Sequence, residues 1–201
     1  MSPKTAFYDD VWVVVDKGVY EPADDTFMLC GNLEISPEER MLEIGTGCGI
    51  VAIVAAKAGA HVIATDQSKI AVQNARKNVA FHKCETHVEI RQGYLLEPIR
   101  PSEKFSLIAF NPPYLPSTKE DPGFDSAWSG GSKGYEITEQ FLAQCTPYLQ
   151  ENGRLLLIQS SLSDTERIQR RLEELFQSVK VKEEKAFFFE RLLLFEAQIP
   201  R

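Results

Sequence analysis

From residue 41 onward, the chain alternates strand-like segments with helical ones, and this alternation restricts the fold more than any other feature. The predicted strands are apolar or alternating runs at residues 41–44, 61–66, 88–91, 105–110 and 154–158. The predicted helices cover residues 50–58, 68–81, 135–150 and 164–176. Because parallel neighbours need long crossover connections, this alternation predicts a mostly parallel sheet covered on both faces. The expected fold class is α/β, a three-layer sandwich.

The segments outside this alternation are shorter or irregular. Residues 179–185 and 191–197 are predicted strands with so short a connection that they must pair antiparallel. Residues 11–20 predict a hairpin around the turn Asp16-Lys17-Gly18. Residues 115–133 are rich in Gly, Pro, Ser and Asp. A loop this long in a compact domain usually serves function, so we expect a substrate loop, with a solvated linker as the alternative.

Length and charge limit the class of protein. The chain has 201 residues, which predicts one domain over residues 1–201. Its net charge of -7 gives no overall attraction to nucleic acid or to an anionic membrane. The four cysteines are far apart and form no C-x-x-C pair, so neither a metal site nor a disulfide framework is expected. No apolar run approaches membrane-spanning length, and we expect a cytoplasmic protein.

The fourth predicted strand ends at Asn111, Pro112, Pro113 and Tyr114. Proline cannot donate to a sheet and restricts the residue before it, so the strand must end at a fixed point. Asn111 Oδ1 and the carbonyl of Pro112 are expected to lie side by side, next to the ring of Tyr114. Two such acceptors can bind both hydrogens of a planar NH2 group. The alternative is a strand end followed by an ordinary proline turn.

A turn with alternating glycines follows the first strand of the alternating region and contains Gly45, Gly47 and Gly49, after the acidic Glu43. Open α/β sheets bind ligands at the carboxyl ends of their strands, and glycine lets the backbone approach a ligand closely. Asp66 ends the second strand, 21 residues after Gly45, where a carboxylate can accept from both ribose hydroxyls. Ile50 stands where a dinucleotide fingerprint has its third glycine, which disfavours an NAD site. The alternatives are a turn that serves only the strand-to-helix connection, and Asp66 as a helix cap.

These motifs together resemble a known family. The acidic-x-Gly-x-Gly-x-Gly turn resembles motif I of the S-adenosylmethionine-dependent methyltransferases, and Asn-Pro-Pro-Tyr after the fourth strand resembles the amino-group methyltransferases. Residues 19–26 (Val-Tyr-Glu-Pro-Ala-Asp-Asp-Thr) and 127–134 (Ala-Trp-Ser-Gly-Gly-Ser-Lys-Gly) are similar to the HemK-type protein-glutamine N5-methyltransferases. Within that family the chain resembles the short archaeal and eukaryotic form, which modifies the Gly-Gly-Gln glutamine of class 1 translation release factors. The resemblance runs from about residue 11 to the end.

The resemblance implies a Rossmann-like fold with a seven-stranded sheet, an antiparallel last strand and S-adenosylmethionine as the cofactor. It assigns the grip on the substrate amide to Asn111, Pro112, Pro113 and Tyr114. It assigns the cofactor site to Tyr20, Pro22, Thr26, Glu43, Gly45, Gly47, Gly49, Asp66, Gly93, Tyr94, Leu95 and Asn111. At the position where the family usually has an adenine-binding Asp, the chain has Gly93-Tyr94-Leu95. We therefore expect backbone groups or stacking to hold the adenine.

The resemblance also implies partners: a release factor as the protein substrate, and a small zinc-ribbon activator that pairs with an edge of the sheet. Two other functions stay open. The first is an amino methyltransferase for adenine N6 or guanine N2 of nucleic acid, whose flipped base presents a similar NH2 group; the acidic charge balance counts against it. The second is a non-catalytic cofactor-binding subunit, against which the intact Asn-Pro-Pro-Tyr motif counts.

Overall fold

The computed structural model describes residues 4–114 and 134–199. The strands of this part are β1 (Lys4–Tyr8), β2 (Val11–Val15), β3 (Arg40–Ile44), β4 (His61–Asp66), β5 (Val88–Gln92), β6 (Phe105–Phe110), β7 (Leu149–Ser160), β8 (Ser178–Ala186) and β9 (Arg191–Gln198). The helices are α1 (Asp24–Gly31), α2 (Ile50–Lys57), α3 (Lys69–Phe81), α4 (Glu136–Cys145) and α5 (Thr165–Leu175), with one 3₁₀ turn at Thr146–Tyr148.

A seven-stranded sheet with the order β5-β4-β3-β6-β7-β9-β8 forms the centre of the described structure. The strands β3, β4, β5, β6 and β7 pair in parallel, whereas β9 pairs antiparallel with both β7 and β8. The chain order reverses between β3 and β6, and open α/β sheets bind ligands at such a switch point. This topology confirms the predicted fold class, including the antiparallel last strand.

Two apolar clusters cover the two faces of the sheet and make it the middle of three layers. On one face, side chains such as Met41, Val62 and Leu107 pack with α1, α2, α3 and the β1–β2 hairpin. On the other face, Leu42 and Ile108 pack with α4 and α5. Strands that are buried on both faces are expected to be continuously apolar, which explains why the sequence predicts them so clearly.

The predicted hairpin at residues 11–20 is wrong in its position. The observed hairpin pairs β1 with β2 from Lys4↔Val15 to Tyr8↔Val11. Residues 16–19 do form a turn, in which Val19 N donates to Asp16 O at 3.1 Å. Val19 and Tyr20, which follow this turn directly, are not part of a strand and line a cavity instead.

Two further boundaries differ from the prediction. The helix α4 ends at Cys145 rather than near residue 150, and Pro147 lies in the 3₁₀ turn that follows it. The predicted turn at residues 151–153 lies inside β7. There the register with β6 shifts between Phe105 and Leu107, and Asn152 has a φ of 59°.

The predicted substrate loop, residues 115–133, lies outside the described residues. In the described ranges no helix is long and apolar enough to cross a membrane.

Candidate active site

A cavity of about 440 Å³ opens at the switch point of the sheet. Ile44 and Phe110 are register partners at the carboxyl ends of β3 and β6, so the glycine turn and the Asn-Pro-Pro-Tyr segment begin side by side. Segment 18–29 and Ile137 of α4 complete the wall. The sheet topology therefore places the two main sequence motifs around one cavity of the size of small-molecule sites.

The glycine turn forms the floor of this cavity. Gly45, Gly47 and Gly49 have φ values of 72°, 57° and 88°, a region that favours glycine. Gly45 and Gly47 line the cavity, as predicted. Gly49, predicted as a cofactor residue, is not among the lining residues: it precedes α2, and a Cβ there would lie 3.1 Å from Ala75 Cβ of α3. Its role is the close packing of α2 on α3.

Glu43 supplies a buried carboxyl group beneath the turn. It is buried in β3 and lines the cavity, and Thr46 Oγ1 donates to its Oε2 at 2.7 Å. Burial is the main cause that raises the pKa of Glu43 to about 7; the hydrogen bond from Thr46 opposes the rise, and the charge of Asp66 adds a smaller contribution to it. A buried anion at this place can pair with a cationic amino group of a ligand.

Asp66 lies at the end of β4 and holds the turn in place. Its Oδ2 accepts from Gly47 N at 2.9 Å, and its Oδ1 accepts from Ser68 N at 2.8 Å. Ser68 is the N-cap of α3, since its Oγ accepts from Ala71 N at 3.3 Å, so the alternative of Asp66 as the cap is wrong. Burial raises the pKa of Asp66 and the two N–H donors lower it. Its remaining lone pairs face a cavity in which ribose hydroxyls can bind.

The N-terminal wall of the cavity contains the predicted Tyr20, Pro22 and Thr26. The sequence prediction missed Asp25, which is 2% exposed in the first turn of α1. The hydroxyls of Tyr20 and Tyr114 both donate to Asp25 Oδ2, at 2.7 Å and 3.0 Å. No clear signal in the sequence indicated this role, because Asp25 stands beside Asp24 at the start of the helix and one of its two partners is distant in the sequence.

This shared acceptor links the cofactor side to the Asn-Pro-Pro-Tyr segment. Burial, followed by the charge of Asp25, raises the pKa of both Tyr20 and Tyr114. Both tyrosines therefore stay neutral and keep a proton to donate.

Asn111, Pro112, Pro113 and Tyr114 all line the cavity, as predicted. Phe110 packs on Phe141 of α4 with ring centroids 4.9 Å apart, which fixes the end of β6. Asn111 Oδ1 is a buried side-chain oxygen without a hydrogen-bond donor in the described part of the chain. Buried polar atoms are rarely left unpartnered, so an acceptor of this kind beside a cavity indicates a ligand that donates to it.

Gly93, Tyr94 and Leu95 bound the cavity beyond the end of β5. Gly93 N donates to Asp66 O at 3.0 Å, and a Cβ at Gly93 would lie 2.8 Å from Pro98 Cδ. Tyr94 OH donates to Gln140 Oε1 of α4 at 2.7 Å. The groups of this segment that could contact an adenine are therefore the Tyr94 ring and the backbone, as expected for a segment without an Asp. This assignment stays a prediction.

The fold and the cavity define a Rossmann-like S-adenosylmethionine-dependent methyltransferase. The family model described as methyltransferase small domain matches residues 10–189, and the chain belongs to this family. The predicted membership in the protein-glutamine N5-methyltransferases is confirmed by the relatives described next.

Similar proteins span most of the chain. A Methanocaldococcus jannaschii protein with the provisional name protein N5-glutamine methyltransferase is 34% identical over 184 residues, or 89% of this chain and 91% of that protein. Methyltransferase HEMK2 of Homo sapiens is 30% identical and covers 82% of each chain. The release factor glutamine methyltransferase of Aquifex aeolicus is 32% identical, and the match covers 55% of its length.

A solved structure shares the fold. The Mtq2–Trm112 complex of E. cuniculi, which methylates the eRF1 translation termination factor, contains a chain that matches with a TM-score of 0.72 and 22% identity. The match covers 90% of this chain and 99% of that chain. At this identity the likeness supports the fold alone.

Proposed function

We propose that the chain transfers the methyl group of S-adenosylmethionine to the side-chain amide nitrogen of the glutamine in the Gly-Gly-Gln motif of a class 1 release factor. The observation that carries this proposal is Asn111 Oδ1, a buried acceptor without a donor in the described structure, on the wall of the cavity. A primary amide supplies the N–H donor that this oxygen lacks.

The residues at the carboxyl ends of the strands fit the cofactor. Glu43 suits its cationic amino group, and Asp66 suits its ribose hydroxyls. The cofactor, when bound, supplies a methyl group already activated by its sulfonium. In the described residues no group of three or more His, Cys, Asp and Glu side chains is placed to hold a metal ion.

The chain's own contribution is to orient a weak nucleophile. The lone pair of an amide nitrogen is delocalised, so the rate depends on positioning and on acceptors that stabilise positive charge as the N–C bond forms. Asn111 Oδ1 and the Pro112 carbonyl would hold the two amide hydrogens, and Tyr114 would pack on the flat face of the amide. The hydrogen bond from the Tyr114 hydroxyl to Asp25 holds that ring in place.

A release factor is favoured over a nucleic acid as the substrate. Two of the relatives are named for the methylation of glutamine or of a release factor. The net charge of -7 gives the chain no overall electrostatic attraction to RNA. We further propose a single methyltransferase domain, residues 115–133 as the substrate loop, and a cytoplasmic location with the translation machinery.

We also propose a small zinc-ribbon partner subunit. The fold neighbour from E. cuniculi is a complex with a second chain, Trm112. In the described sheet, β5 and β8 are the edge strands, and an edge strand can accept a strand from a partner.

The deciding experiment is methyl transfer from labelled S-adenosylmethionine, with and without the partner subunit. We expect label in a release factor, and we expect it to vanish when the Gly-Gly-Gln glutamine is changed. Total RNA is the parallel substrate. Label in RNA alone would overturn the proposal in favour of a nucleic-acid amino methyltransferase.

A further inference from the structure

The turn between β8 and β9 carries the most exposed apolar side chains of the described structure. Phe188 is 92% exposed, Phe189 is 85% exposed, and their rings pack edge to face with centroids 4.5 Å apart. Phe187 and Leu162 are also exposed. These residues, Leu162, Phe187, Phe188 and Phe189, are called the rim patch below. Exposed apolar side chains that adjoin one another, as Phe188 and Phe189 do, mark interaction sites.

The topology places the rim patch at the same edge of the sheet as the cavity. Because β9 runs antiparallel to both β7 and β8, β8 runs in the direction of β7 and β6, and its carboxyl end lies with theirs. The strand β8 is three positions from β6 in the sheet, about 14 Å at the usual strand spacing. Asn111 directly follows β6, so an extended peptide of a few residues can reach from the cavity to the rim patch.

Specific contacts hold this turn against the carboxyl end of β7 and the first turn of α1. Ser160 Oγ donates to Glu190 Oε1 at 2.6 Å, and Ser161 N donates to Arg191 O at 2.9 Å. Lys185, directly before the turn, pairs with Asp24 of α1, the neighbour of Asp25. Phe187 N donates to Glu190 O at 2.7 Å and closes the turn. The turn is therefore held in place while its two outermost rings face solvent.

Glu190 also lies within electrostatic reach of the substrate side. After burial and the charge of Asp25, its carboxylate contributes to the raised pKa of Tyr114. Glu190, the residue that follows the three phenylalanines of the rim patch, thus acts electrostatically on a tyrosine that lines the cavity.

We propose that the rim patch is a docking surface for the body of the protein substrate, and that it binds an apolar surface next to the methylated glutamine. This inference rests on the proposed function. A glutamine side chain that enters the cavity leaves the rest of its protein outside, and Phe188 and Phe189 are the most exposed large apolar side chains of the described structure. The chain's net charge of -7 disfavours an anionic membrane as the occupant.

The test compares steady-state kinetics of the full chain, together with its partner subunit where that is needed, on an intact release factor. The variant is Phe188→Ser combined with Phe189→Ser. Phe7→Ser is the matched control, because Phe7 is 63% exposed on β1, which contributes nothing to the cavity wall. We expect the double variant to raise KM for the release factor about tenfold or more, as the loss of central aromatic contacts does at interfaces. We expect kcat to stay within about twofold, because the reacting groups are untouched.

A second variant, Phe188→Leu combined with Phe189→Leu, keeps apolar surface and should recover most of the KM. An unchanged KM in the serine double variant would overturn the docking role. So would a fall in kcat as large as the rise in KM, or an equal rise in KM in the control Phe7→Ser. Loss of self-association, or loss of binding to phosphatidylcholine vesicles, with KM unchanged would assign the patch to a second copy or to a membrane and would also overturn it. A wild-type chain that leaves the release factor unlabelled overturns the proposed function instead.

Discussion

Asn111 is the residue whose proposed role can be tested most directly. Replacing it by alanine removes the unpartnered acceptor, and the loss of one such group at a reacting centre costs on the order of 10²-fold or more in kcat. Single-turnover methyl transfer to a release factor measures this loss. Asn111→Asp restores an acceptor oxygen and should recover part of the rate. Wild-type turnover by Asn111→Ala would remove the residue from the mechanism.

Glu43 predicts a dependence on pH in two opposite directions. Its pKa is raised from 4.5 to about 7, so its contribution to the stability of the ligand-free chain is fully present below about 4.5 and is lost as pH rises through about 7. Binding of a cationic amino group needs the ionised carboxylate. The affinity for S-adenosylmethionine should therefore rise about tenfold between pH 6 and pH 8.

Calorimetric binding titrations and thermal unfolding at several pH values measure both effects of Glu43. The matched variant is Glu43→Gln, which cannot ionise. Its pH dependence over this range should be weaker than that of the wild type, and an equal pH dependence would assign the effect to another group.

Asp25 predicts a loss of stability that depends on the lost acceptor. In Asp25→Ala the buried hydroxyls of Tyr20 and Tyr114 lose the oxygen that both donate to, which should cost about 1–3 kcal/mol in the free energy of unfolding. Asp25→Asn keeps an acceptor oxygen and should cost less. Urea unfolding measures the difference. Equal losses in the two variants would show that the charge, and not the acceptor, matters.

At the scale of elements, the glycine turn contains one glycine needed for helix packing, Gly49, and one that lines the cavity, Gly47. Gly49→Ala places a Cβ 3.1 Å from that of Ala75 at a φ of 88°, and should destabilise the chain by about 2 kcal/mol or more. Gly47→Ala meets open space at a φ of 57° and should cost about 1 kcal/mol. Urea unfolding compares the two variants. Since Gly47 lines the cavity, its variant should bind S-adenosylmethionine more weakly; a larger unfolding loss for Gly47→Ala would contradict this division.

The parallel strands could be predicted from the sequence because they are buried on both faces. The runs at β3, β4 and β6 are mostly apolar, and the motif residues lie at or directly after their carboxyl ends. The order of the strands is then what brings Glu43, Asp66 and Asn111 to one cavity.

Short local signals were not sufficient for the rest. The turn at Gly18 predicts a hairpin between residues 11–15 and the residues after the turn, but residues 11–15 pair instead with β1, through the two-residue turn at Asp9 and Asp10. The role of Gly49 depends on Ala75 of another helix, and that of Asp25 on Tyr114, which is distant in the sequence. Such contacts between distant segments leave no periodic pattern.

At the scale of the whole molecule, the sheet presents two edges, and the partner subunit predicts a specific behaviour. If an edge and its neighbouring apolar surface are built for a partner, the chain expressed alone should be poorly soluble or weakly active, because exposed edges promote aggregation. Co-expression with the proposed zinc-ribbon partner subunit should restore a soluble, active heterodimer. Size-exclusion chromatography and methyl transfer measure both properties, and a stable, fully active monomer would contradict the prediction.

The shared acceptor at Asp25 has a thermodynamic consequence. In the proposed site Tyr20 lies on the cofactor side and Tyr114 on the substrate side, and both donate to one carboxylate oxygen. Two ligands that depend on one common element are energetically coupled, and such coupling is reciprocal. The factor by which S-adenosylmethionine strengthens the binding of the amide substrate must equal the factor by which that substrate strengthens the binding of S-adenosylmethionine. A single buried oxygen would then favour assembly of the ternary complex over either binary one.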